Sequence, residues 1–121
     1  MQNALPENAR MTPSAYSFEA WRIPVQSATS VDDLMLVVAA YLNSWPIEDL
    51  MRIPVGLAEP IRLPHELADR AVELSHAEID FRGNSDTQQA LSELALVIST
   101  AAARLAYLQS PRAKPTKVGL R

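Results

Sequence analysis

The sequence predicts an all-α fold, a small three- to four-helix bundle built on a C-terminal antiparallel helix hairpin. Three observations carry this. Apolar residues recur at helical spacing over 31–45, 64–81 and 86–109. A short polar link, Arg82-Gly83-Asn84-Ser85, joins the last two segments, and helices joined this closely lie antiparallel beside each other. Prolines fall at the predicted ends, at Pro46, Pro64 and Pro111. The 121 residues match the size of one domain. We divide the chain into a single helical domain, 1–110, and a flexible basic tail, 111–121; within the domain, 1–28 is a poorly defined docking segment.

Residues 1–28 give the least regular pattern. Thr12-Pro13 suits a helix start, with Ala15, Phe18 and Arg22 on one face. The alternation of Tyr16, Phe18 and Ala20 suits a strand almost as well. In either case Tyr16, Phe18 and Trp21 are expected to dock, because leaving three large apolar groups in water is costly.

The next helix is clearer. Ser30 followed by Asp32 and Asp33 resembles a capping box, with acids favouring the positive end of the helix dipole. Leu34, Val37, Val38, Tyr41, Leu42 and Trp45 form its apolar stripe. Pro46 ends it and opens a short helix over 47–52. Pro54, Pro60 and Pro64 then bracket an extended connection. Its Ile53, Val55, Leu57, Ile61 and Leu63 are expected to lie over the core.

In the hairpin, the first helix has an apolar face of Leu67, Ala68, Ala71, Val72, Leu74, Ile79 and Phe81. Gly83-Asn84 is expected to supply a left-handed stop. Ser85-Asp86-Thr87-Gln88 reads as a capping box for the last helix. That helix has a main stripe of Leu91, Leu94, Ile98, Ala102 and Leu105.

Charge is divided along the chain. Residues 1–93 hold all fourteen acids against six Arg/Lys, a net −8; residues 94–121 hold five cations and no acid, a net +5. An acidic body with a basic end argues against nucleic-acid binding by the body. Without cysteine there is no disulfide, thiolate metal site or cysteine nucleophile. Met1–Arg22 lacks the basic and apolar blocks of a signal peptide, and the weakly charged run Leu94–Ser110 is short for a bilayer span. These features lead us to expect a soluble, cytoplasmic chain without a membrane partner.

The nearest approach to a chemical motif is Glu73-x-x-His76, the spacing used by helical di-iron sites. A di-iron site needs a second such motif and facing carboxylates. The last helix offers only Asp86 and Glu93, both near its start. On a helical wheel Glu66, Asp69, Glu73, His76 and Asp80 lie away from the apolar face, so a solvated polar surface is the expectation. His65 beside Glu66 lacks a nucleophile or a pocket-forming loop. Glu78 falls inside the apolar arc, where an i,i+4 pair with Arg82 is expected and an interface salt bridge is the alternative. We assign no catalytic, cofactor or metal residues and no small-molecule substrate.

The last helix carries a second apolar stripe, Leu96, Ala103 and Tyr107, roughly opposite the first. A helix apolar on two sides is normally covered on two sides. The stripe is therefore expected to be covered by the N-terminal segment, by the proline-rich crossing or by another chain, and it is our candidate protein interface. The leading expectation is a non-enzymatic protein-interaction or regulatory module that self-associates, as a dimer, or binds a protein partner. The alternative is a nucleic-acid-associated factor using Arg112, Lys114, Lys117 and Arg121 as an aromatic-free basic tail that touches phosphates. A small metal-binding helical protein ranks below both.

The tail generates a direct test. Residues 111–121 hold only Val118 and Leu120 as large apolar groups, against four cations and two prolines. That burial is too small to offset an ordering cost of roughly 1–2 kcal/mol per residue. A stop codon after Ser110 is expected to leave the melting temperature nearly unchanged, and a large drop would mean that Val118 and Leu120 dock.

Overall fold

The computed structural model describes residues 16–110. The Thr12-Pro13 helix start and the whole tail 111–121 lie outside the described residues. Among the described residues there are five helices and no strand: α1 (Phe18–Gln26), α2 (Val31–Asn43), α3 (Ile47–Leu50), α4 (His65–Asp80) and α5 (Ser85–Gln109). The chain is all-α.

From Phe18 onward the segment takes the helical alternative rather than the strand. Ser17 caps α1, its hydroxyl accepting from the Ala20 N–H at 3.3 Å. Pro24 sits inside this helix. It lies near the C-terminal end, where its missing donor removes one backbone bond from a short helix. Ser30 caps α2 as expected, accepting from Asp33 N–H at 3.0 Å. The returning bond runs from Thr29 N–H to Asp33 Oδ2 at 3.2 Å, one residue earlier than in a standard capping box. Trp45 follows the helix rather than ending it, and is nearly fully buried.

The N-terminal aromatics dock on the far end of α2. Tyr16 stacks on Trp45 at 4.1 Å between centroids, and Trp21 meets Tyr41 edge-on at 5.5 Å. Tyr41 is fully buried, which pushes its phenol well above the ordinary tyrosine range.

α5 is the common partner of α1, α2 and α4, and its most extensive packing is with α4. Its buried residues are Ala90, Leu91, Leu94, Ala95, Val97, Ile98, Ala101 and Leu105. The buried face is therefore broader than the expected stripe of Leu91, Leu94, Ile98, Ala102 and Leu105, of which Ala102 is only half-buried, because three helices press on one. α2 packs chiefly on α5 and α1.

At 25 residues α5 is long enough, and apolar enough by composition, to cross a bilayer. The weakly charged run 94–110 is, as far as Gln109, part of this longer helix. The same helix supplies the largest share of the buried core.

Four further expectations need correction. First, α5 is capped by Asn84, whose side-chain oxygen accepts from Thr87 N–H at 3.2 Å, so Ser85 is already inside the helix. Second, neither Gly83 nor Asn84 is left-handed. α4 ends through Phe81, at φ −103° and ψ 23°, and the only positive-φ glycine among the described residues is Gly56 at 93°. With its amide nitrogen facing the carbonyls, Gln88 donates to Glu78 and Phe81 O, each at 3.1 Å. The first turn of α5 thus closes the last turn of α4.

Third, α4 buries Leu67, Leu74 and Ala77, while Ala68, Val72 and Ile79 face outward. The apolar arc is turned by part of a helical step from the wheel reading. Fourth, the 53–63 connection is only partly packed. Ile53 and Ile61 are buried, but Val55 is 99% exposed and Leu63 is also exposed. Arg70 holds this connection to α4, donating to Leu57 O and Glu59 O at 2.8 Å each.

The two glycines respond differently to a Cβ. Neither has an atom within 4 Å of the position a Cβ would take, but only Gly56 needs positive φ. Gly56→Ala is expected to cost about 1–2 kcal/mol in chemical denaturation. Gly83→Ala is expected to stabilise by up to about 1 kcal/mol, because alanine fits the ordinary backbone there and restricts the unfolded chain. Equal costs at the two sites would contradict this account of the turns.

Candidate functional site

The outward face of α5 is a ridge between two flanking helices. Leu96 is 48% and Tyr107 51% exposed, and Ala103 between them is exposed. α1 packs along one side of this face, where Gln26 reaches the groove, and leaves Leu96 and Tyr107 about half exposed. On the α4 side lies a shallow groove of about 240 Å³, lined by Glu78, Ser92, Ala95, Leu96 and Ser99. On the α1 side a second groove of about 340 Å³ is lined by Gln26, Thr100, Ala103, Arg104 and Tyr107. Leu96 belongs to the first groove, while Ala103 and Tyr107 belong to the second. One surface ridge therefore connects the three predicted residues through two different neighbours.

The polar residues beside the ridge hold the fold in place. On the α1 flank, Glu93 Oε1 accepts from Phe18 N–H at 2.7 Å, at the partly buried start of α1. A carboxylate there satisfies an otherwise unpaired donor and complements the helix dipole. Farther along the same flank, Arg104 Nε donates to Ala28 O at 2.9 Å, just past the end of α1. The Arg104 guanidinium also lies over the Tyr107 ring, 4.7 Å from its centroid, which fixes the Tyr107 side chain beside the groove. Sequence reasoning missed the roles of both Glu93 and Arg104. Their partners are backbone groups 75 and 76 residues away, which no local spacing reveals.

On the α4 flank, Glu78 is half-buried as the wheel position implied, but its partner differs. Ser92 Oγ donates to Glu78 Oε2 at 3.2 Å, and this bond replaces the expected pair with Arg82. The ion pairs resolved among the described residues are Arg52–Asp49 and Arg70–Glu73.

The remaining polar candidates are dispersed. Glu73 and His76 are both exposed. Among the described residues, no three His, Cys, Asp or Glu side chains gather closely enough to hold a metal. Glu66 accepts from Arg62 N–H at 2.9 Å and Leu63 N–H at 3.1 Å, which lowers its carboxyl pKa, the Leu63 bond contributing most. It is thus turned toward the helix start rather than toward His65. The basic tail candidates Arg112, Lys114, Lys117 and Arg121 lie outside the described residues.

For the Glu73/His76 pair we expect no stoichiometric metal in protein purified without chelator, read by elemental analysis. Bound metal that disappears on His76→Ala would overturn that expectation. No protein-family model, curated protein or solved structure matches this chain.

Proposed function

We propose that this chain is a non-enzymatic protein-interaction module that self-associates as a dimer through the outward face of α5. The scaffold for that face is a small helical bundle built on the α4–α5 hairpin. One observation carries the reading. The helix that supplies the largest share of the core also presents Leu96 and Tyr107 half-exposed beside Ala103, with Arg104 laid over the Tyr107 ring at one end of the line. Exposed large apolar groups that continue along one helix between grooves favour a partner surface over bulk solvent.

The use of the titratable groups supports a structural rather than a chemical role for the polar residues. Glu93 caps α1, Asp33 caps α2, Glu66 holds the approach to α4, and Arg70 pins the 57–59 connection. Each is committed to backbone groups. The lack of cysteine is compatible with a reducing cytoplasmic setting.

The test is the mass of the purified protein by light scattering, beside that of Leu96→Asp. Wild type is expected to be a dimer. The variant, which places a charge where apolar contact is needed, is expected to be a monomer that keeps its helical circular dichroism. A wild-type monomer across the concentration range would refute the proposal. So would a variant of unchanged mass and stability.

A further inference from the structure

We infer that the second copy binds with its α5 antiparallel to the first, about a two-fold axis passing near Ser99 and Thr100; this rests on the self-association proposed above. Shape and charge converge on this arrangement.

The shape argument begins with Leu96. It stands on the ridge, and two turns further along the same helix Ala103 forms part of a groove with Thr100 and Tyr107. The ridge therefore holds a projecting side chain and a recess on opposite sides of its midpoint. A two-fold axis at that midpoint brings Leu96 level with the partner's Ala103, and the reverse contact follows by symmetry. This is the large-against-small matching that lets ridges enter grooves.

The charge argument uses the α1 flank. Glu93 and Arg104 both lie on it, since each bonds to backbone at one end of α1. A two-fold axis perpendicular to α5 keeps the two α1 flanks on the same side of the pair. It also reverses the helix direction. At 1.5 Å rise per residue, Arg104 comes within about 3 Å, along the axis, of the level of the partner's Glu93. Opposite charges then face each other twice. Between them the ridge positions Leu96, Ser99, Thr100 and Ala103 are uncharged, so the approach meets no repulsion. A parallel pair gives neither match. It sets Leu96 against its own copy and puts the two α1 flanks on opposite sides.

The absence of cysteine makes the geometry testable with single substitutions. Ser99→Cys places a thiol beside the axis, whereas Gln89→Cys places one ten residues away. Antiparallel pairing then separates the two copies of residue 89 by about 30 Å. Under mild oxidation, Ser99→Cys is expected to form about tenfold more disulfide-linked dimer than Gln89→Cys, because the bridge requires close Cα atoms. Mixing Leu96→Cys with Ala103→Cys, the two ridge positions that the axis brings level, is expected to yield the crossed product in preference to either self-linked pair. Adding Leu96→Asp to Ser99→Cys should abolish the link. Sedimentation of each unoxidised variant separates the possible failures. A dimer that cross-links at residue 89 as well as at 99, or at neither, overturns the antiparallel arrangement but leaves self-association standing. A monomer at every concentration overturns both.

Discussion

The fold depends on the inward face of α5. α1, α2 and α4 each pack on it, and Leu91, Leu94, Ile98 and Ala101 are fully buried at that junction. Removing one large side chain from such a site typically costs about 2–5 kcal/mol, comparable with much of a small domain's stability. Glu93 reinforces the junction from two directions. Its carboxylate caps α1, and its carbonyl accepts from the Tyr41 hydroxyl of α2 at 3.4 Å. One turn of α5 thereby sets the position of two other helices. A helix held this firmly offers its outward face as a rigid surface, so a partner binding there orders little new structure.

Local signals revealed the elements wherever backbone chemistry alone decides them. Pro64 opens α4, the polar link separates α4 from α5, and Ser30 caps α2, all from residues close in sequence. α1 was harder to read because Tyr16, Phe18 and Ala20 satisfy both periods. What decides between them is tertiary: the Glu93 carboxylate waits at the first turn of a helix, and Trp45 offers Tyr16 a stacking partner. The stop after α4 misled for a related reason. Gly83-Asn84 can adopt left-handed backbone but is not required to, and Gln88 supplies the closing donors from the next helix instead.

The candidate site was half legible. The Leu96/Ala103/Tyr107 stripe follows from spacing alone. The grooves beside it do not, because their other walls come from Gln26 of α1 and Glu78 of α4. Glu78 shows the limit well. Its place at the edge of the apolar arc could be read from the wheel, yet the nearest cation in sequence is not its partner. Packing of α4 on α5 brings the Ser92 hydroxyl to it. Val55 marks the opposite error. An apolar residue in a connection between helices need not be packed, because turn geometry around Gly56 decides which way it faces.

The central claim is that α5 works on both faces, holding the core inward and a second copy outward. Hydroxyl-radical footprinting at protein concentrations below and above the association range reads this directly, side chain by side chain. Labelling of Leu96 and Tyr107 should fall as concentration rises. Labelling of Met51 and Val55, which are exposed but distant from the ridge in sequence and groove, should stay constant. Unchanged labelling of Leu96 and Tyr107 at both concentrations would contradict the claim.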